Sequence, residues 1–215
     1  MVDDLPGAFA ARLISAYARR PEELFGFALA GGSTARPCYE RLAAESLDAM
    51  DWLSVNVYWG DERCVPPDHP DSNQLLGRQA LLEKVGAANA VYPMNCEDGP
   101  DAYQLRLGEI GKLDVIHLAL GSDGHTASLF PGSPALDADP GQLVARNEDL
   151  SGRNPHRRLT LTFSGIARSR LVIFTVAGGQ KRAALQAVMD GADVPAGRVT
   201  ADEVIWLVDA EAAPH

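Results

Sequence analysis

Five apolar runs constrain this chain most: "LFGFALA" (24–30), "SVNVYW" (54–59), "DVIHLAL" (114–120), "LVIFTVA" (171–177) and "VIWLVD" (204–209). They are rich in β-branched and aromatic residues, and most do not alternate polar with apolar. Strands buried on both faces read this way, because neither face meets water. Between the runs, apolar residues recur at helical spacing over 8–20, 36–45, 73–85, 101–111 and 179–191, the last ending on Gly191, a natural helix stop. Strands alternating with helices predict an α/β chain with a mostly parallel sheet covered by helices on both faces.

The chain has 215 residues, 46% of them hydrophobic and 22% charged, with no repeat and no low-complexity linker. One domain over 1–215 is the expectation. The segment 131–156, rich in Pro, Gly, Asp and Asn, reads as loops with short strands, and "LTLTF" (159–163) alternates like an added antiparallel strand. A net charge of −10 argues against nucleic acid as a partner, which needs a basic patch. No segment approaches the ~20 apolar residues of a membrane span. The acidic start "MVDDLPG" is unlike a signal peptide, so a cytoplasmic location is expected. Cys38, Cys64 and Cys96 lack zinc-cluster spacing and read as buried thiols of a reducing compartment.

In open parallel sheets, ligands bind beyond the carboxyl ends of the strands, and the unusual residues of this chain follow its strands. In "ALAGGSTARPCYERL", Gly31 and Gly32 make a turn, and Ser33 or Thr34 is positioned to cap the next helix. Free N–H groups and the helix dipole there suit an anion, although the pattern is neither a dinucleotide fingerprint nor a P-loop. In "VYWGDERCVPPDHPDSNQLL", Arg63 can fork a phosphate or carboxylate, and Asp61 can orient a hydroxyl or a water. A solvated turn is the competing reading of 61–63. Ser72 and Asn73 look like a helix cap, and His69 like an exposed loop residue. In "LALGSDGHTASLFPG", His125 sits between a strand and an expected helix, whose dipole would keep the imidazole neutral as a general base requires. Asp123 can orient that ring or hold a hydroxyl. His117, within an apolar strand, reads as a packed core histidine. Arg157 and Arg158 precede the 159–163 strand, one expected to face the cleft. Lys181, in the first turn of a helix after "VAGG", opposes the dipole unless an anion intervenes.

Taken in order, "LALAGGSTARPCYERLA", "VYWGDERCVPPDHPDSNQ", "LALGSDGHTASLFPG" and "RRLTLTF…GGQKRAAL" resemble the 6-phosphogluconolactonase family from about Phe25 to Trp206. The resemblance implies a three-layer α/β fold of the sugar-phosphate isomerase and deaminase kind. It implies a site without metal or cofactor and 6-phospho-D-glucono-1,5-lactone as the substrate. It makes His125 the catalytic histidine, with Gly31, Gly32, Ser33, Arg63 and Lys181 near the substrate, the last two as phosphate candidates, and it matches Arg158, a further substrate-binding candidate, to the arginine before the family's "LTLT" strand. The chain departs from the family at Gly178-Gly179-Gln180-Lys181, where Gly-Glu-Glu-Lys is frequent, at Ala167, where asparagine is common, and in lacking an initial strand.

The expected chemistry is general-base hydrolysis of a cyclic ester, since no G-x-S-x-G nucleophile elbow is present. An amino-sugar-6-phosphate deaminase is one alternative, disfavoured by Arg63 and "TASLFPG". A non-catalytic sugar-phosphate-binding module is another. Oligomeric state is not legible.

Overall fold

The computed structural model describes residues 1–214. Its strands are β1 (Phe25–Leu29), β2 (Val55–Trp59), β3 (Asp61–Arg63), β4 (Ala90–Val91), β5 (Leu113–Ala119), β6 (Val144–Asn147), β7 (Arg158–Leu161), β8 (Ser169–Val176) and β9 (Glu203–Val208). The α-helices are α1 (Leu5–Ala18), α2 (Ala35–Ser46), α3 (Asn73–Gly77), α4 (Glu83–Val85), α5 (Gly99–Glu109), α6 (Phe163–Ala167) and α7 (Arg182–Met189). All five apolar runs enter one six-stranded sheet, ordered β4-β2-β1-β5-β8-β9, and every pair in it is parallel.

Alternate side chains leave that sheet on opposite faces. Phe27 and His117 meet Phe9 of α1 and Tyr39 of α2 on one side. On the other, Tyr58 stacks on Tyr92, and Tyr103 of α5 bonds the backbone of Trp59. Asp4 caps α1 by accepting from the Gly7 N–H at 3.1 Å, which satisfies one of the donors a helix start leaves free. His117 is fully buried between the Tyr39 hydroxyl and Thr175 Oγ1, the packed core histidine expected.

Several expectations change. The 159–163 segment yields β7, but β7 pairs antiparallel with β3 and β6 in a separate three-stranded sheet instead of extending the main one. Residues 61–63 are strand β3, not a solvated turn, and Asp61 and Glu62 are buried. The 73–85 helix is broken by a π-type turn, Arg78–Leu82. Thr34 stands at the start of α2 without a side-chain capping bond. Cys64 and Cys96 form a disulfide, and only Cys38 is a buried free thiol. Their spacing of 32 residues hid the pairing, because β3 and the turn after β4 approach only in the fold.

Candidate active site

The chain builds outward from β1 to β2 and β4 on one side, then returns to set β5, β8 and β9 on the other. The order of strand addition therefore reverses between the parallel neighbours β1 and β5, where loops 30–34 and 120–127 part and leave a crevice. A cavity of about 110 Å³ lies there, lined by Gly31, Gly32, Asp61, Arg63, Asn73 and His125 among others. Larger concavities exist, including one of about 490 Å³ along Gly26, Asn56 and Asp114, but that one holds none of the strand-end residues picked from sequence. Chemistry, not volume, selects the crevice.

No helix follows His125. Residues 121–132 form turns, tied by a Thr126–Leu129 bridge and by Ala127 in the left-handed region at φ 48°, and the next helical turn is Pro134–Asp137. The dipole argument for His125 fails with the helix. Asp123 does the orienting instead: its Oδ1 lies 2.5 Å from His125 Nδ1 and 3.2 Å from the His125 N–H. Burial pushes the Asp123 carboxyl up, but its bonds to His125 prevail and hold it below its ordinary value. An ionised carboxylate only accepts, so Nδ1 is the donor in this bond, and a neutral ring held this way carries its lone pair on Nε2. Gly121 makes this possible, since a Cβ there would lie 2.1 Å from His125 Nδ1. Phe130 packs against the imidazole at 4.9 Å between ring centroids.

Asp61 does not reach into the cavity as a free carboxylate. Its Oδ2 accepts from Ser128 Oγ at 2.6 Å, and its Oδ1 from Asn73 Nδ2 at 3.1 Å. Glu62 is 2% exposed and accepts from the N–H groups of Arg63, Asn73 and Gln74 and from the Ser72 hydroxyl. Burial raises its pKa against these bonds. Ser72 also caps α3 by accepting from the Leu75 N–H, as its sequence position suggested. These bonds lock β3, the start of α3 and the histidine loop into one frame. Gly31 lets Asn73 approach, because a Cβ would lie 1.8 Å from Asn73 Oδ1.

Sequence reasoning missed Asn73, Ser128, Glu62 and Gly121 as parts of the site. Asn73 carried a signal, standing beside a cap serine in the loop that follows Arg63. Ser128 carried none, for its partner Asp61 is 67 residues away.

Of the candidate cations, Arg63 lines this cavity, Arg157 and Arg158 line a separate concavity with Pro134, Arg146 and Asn147, and Lys181 feels the charge of Asp123. Arg63 and Arg158 are directly opposed across β3 and β7, an arrangement that repels unless an anion is near. Arg158 is 5% exposed, with Nε and Nη1 lacking hydrogen-bond partners and its guanidinium over Phe130. Burial lowers its pKa. Arg157 is the exposed member of that pair. Lys181 ends a short turn before α7, half-buried, its pKa lowered by burial against the opposing pull of Asp123. Ser33 and Thr34 follow the two glycines at the mouth of α2. Among the described residues, no group of three His, Cys, Asp or Glu side chains is arranged to hold a metal ion.

The family model "Glucosamine-6-phosphate isomerases/6-phosphogluconolactonase" matches residues 1–206. The chain belongs to this family. A 6-phosphogluconolactonase of Synechocystis sp. is 39% identical over 207 residues, covering 87% of this chain and 83% of that relative. One from Mycobacterium tuberculosis is 37% identical over 206 residues, covering 86% and 82%. Among solved structures, the 6-phosphogluconolactonase from Trypanosoma cruzi superposes with a TM-score of 0.85 at 26% identity, covering 99% of this chain and 94% of that one. A monomeric glucosamine-6-phosphate deaminase superposes at 0.81 with 18% identity, covering 97% and 94%, a likeness of fold alone. The family's three-layer α/β architecture is the one described above.

Proposed function

We propose that this chain hydrolyses 6-phospho-D-glucono-1,5-lactone to 6-phospho-D-gluconate, the lactonase step of the oxidative pentose phosphate pathway, working as one domain over 1–215. The reading rests above all on His125, whose Nδ1 is held by Asp123 at 2.5 Å in a crevice shared with Arg63. Family membership and relatives named for this reaction support it.

His125 Nε2 takes a proton from water as the water oxygen attacks C1. The carbonyl becomes an oxyanion, for which backbone N–H groups of Gly31 and Gly32 and the hydroxyls of Ser33 and Thr34 are the candidate donors. Collapse breaks the bond from C1 to the ring oxygen, and the imidazolium returns its proton to that oxygen. Asp123 stabilises the imidazolium between the two transfers. Arg63, Arg158 and Lys181 hold the phosphate, which fixes the ring relative to the base. Asp61 shapes the cavity wall through Asn73 and Ser128. No resident metal or cofactor enters these steps, and the expected partner is the sugar-phosphate lactone.

No helix among the described residues is long and apolar enough to cross a membrane. The reading carries a cytoplasmic location, against which the Cys64–Cys96 disulfide is the counter-observation, because such bridges are rare in reducing compartments.

The test is 6-phosphogluconate formation from fresh lactone, measured above the spontaneous rate. His125→Ala should lower kcat by about 10²–10⁴-fold, the range for general-base catalysis, while leaving 6-phosphogluconate binding intact by calorimetry. Wild-type turnover in that variant would remove the base from the mechanism.

A further inference from the structure

We infer that His156 is a positioning residue for Arg63: it clamps the carboxylate of Asp71, whose backbone carbonyl oxygen holds the Arg63 guanidinium. The inference deepens the proposed lactonase reading and rests on it for the identity of the phosphorylated ligand.

Arg63 Nη1 donates to the Asp71 carbonyl oxygen at 2.6 Å. That oxygen belongs to a surface loop wound on itself, with His69 N–H donating to Pro66 O, Ser72 N–H to His69 O, and Asp71 N–H to His69 Nδ1. The loop's outer anchor comes from elsewhere in the chain. His156 Nε2 lies 3.0 Å from Asp71 Oδ2, and the ring of His156 meets His69 edge-on at 5.8 Å. That bond is the foremost reason the Asp71 carboxyl lies below its ordinary value.

The backbone of His156 is held where few residues go. Its φ is 75°, and Ala127 of the histidine loop is the only other non-glycine at positive φ among the described residues. Such strain persists only when the surroundings impose it. The approach to His156 is correspondingly stiff. Asp149 accepts from the N–H groups of Ser151 and Asn154 and from both their side chains, and Pro155 follows. One residue later, the Arg157 carbonyl accepts from the Cys64 N–H, fastening the same segment beside Arg63. The ionisable groups facing Asp71 are His156, His69 and Arg63, and Arg158 beyond them feels Asp61, Arg63, Glu62 and Asp71. The geometry aims an imidazole at the one carboxylate whose main chain seats the arginine.

The test compares wild type, His156→Gly and His156→Gln on the phosphorylated lactone and on unphosphorylated gluconolactone. Glycine removes the imidazole yet tolerates the backbone conformation, and glutamine restores an N–H donor of similar reach. With His156→Gly, KM for the phosphorylated lactone should rise about five- to tenfold, the worth of one hydrogen bond, with kcat kept within about twofold. The unphosphorylated lactone should be unaffected, and His156→Gln should recover part of the loss. An unchanged KM, an equal loss on both lactones, or a fall in kcat alone would each overturn the inference. Calorimetric binding of 6-phosphogluconate separates the two readings. Unchanged affinity in His156→Gly sinks the clamp even where turnover is present. Weakened affinity beside a wild type without turnover sinks the hydrolase reading and leaves the clamp standing.

Discussion

Gly121→Ala tests the site with a single methyl group. A Cβ at this position would lie 2.1 Å from His125 Nδ1, 2.4 Å from Cε1 and 2.7 Å from Asp123 Oδ1. Real Cβ contacts do not fall below 3.0 Å, so the ring must retreat by about 0.9 Å. That motion breaks the 2.5 Å bond between His125 Nδ1 and Asp123. The backbone need not follow, because the Gly121 N–H donates to the His125 carbonyl and the Gly124 N–H to the Gly121 carbonyl. Gly121 is not at positive φ, so alanine adds no backbone strain. Misplacing a catalytic group by ~1 Å costs on the order of 10²-fold in rate, and losing one hydrogen bond to a charged partner costs about 1.5–3 kcal/mol of stability. The expected variant is folded, binds 6-phosphogluconate like wild type, and shows kcat down by about 10²-fold. Lactone turnover, circular dichroism and calorimetry read the three properties separately. A fully active Gly121→Ala would mean that the ring position held by Asp123 is not the one used in catalysis.

Two further outcomes follow from a cross-link and a buried histidine. The Cys64–Cys96 bridge spans 32 residues, so the chain-entropy relation assigns its removal a loss of about 3–4 kcal/mol. Cys64→Ser/Cys96→Ser should shift the urea midpoint accordingly, and denatured wild type should titrate one thiol without reductant; three thiols would show that the bridge does not form. His117 is fully buried, and burial depresses its pKa to about 3. The unfolded chain, with an ordinary histidine pKa near ~6.5, binds the extra proton between those values, so stability is full above about pH 6.5 and falls as pH drops, by roughly 2 kcal/mol at pH 5. His117→Gln should lose correspondingly less between pH 7 and pH 5 in urea unfolding, and equal losses would assign the acid sensitivity to other groups.

The five strands were legible because burial on both faces leaves a mark in consecutive residues: Phe25–Leu29 and Ser169–Val176 need no partner to be seen. The strand-end glycines and His125 were legible for a related reason, since small and polar residues interrupt apolar runs where backbone must turn. The helix expected after His125 was misread. Ala-Ser-Leu-Phe has no periodicity long enough to tell a helix start from a turn, and the Ser128 hydroxyl is spent on Asp61 instead.

Local order in the sequence determined the layered α/β architecture and the loops that carry chemistry, because strand burial, helical spacing and turn chemistry act between near neighbours. Only the tertiary structure decided that Asp61 faces Ser128, that Arg63 opposes Arg158, that Cys64 meets Cys96 and that His156 reaches Asp71. Each of those contacts joins residues 32 to 95 positions apart, and such pairs are selected by strand order and packing across the whole sheet, which no short stretch of chain encodes alone.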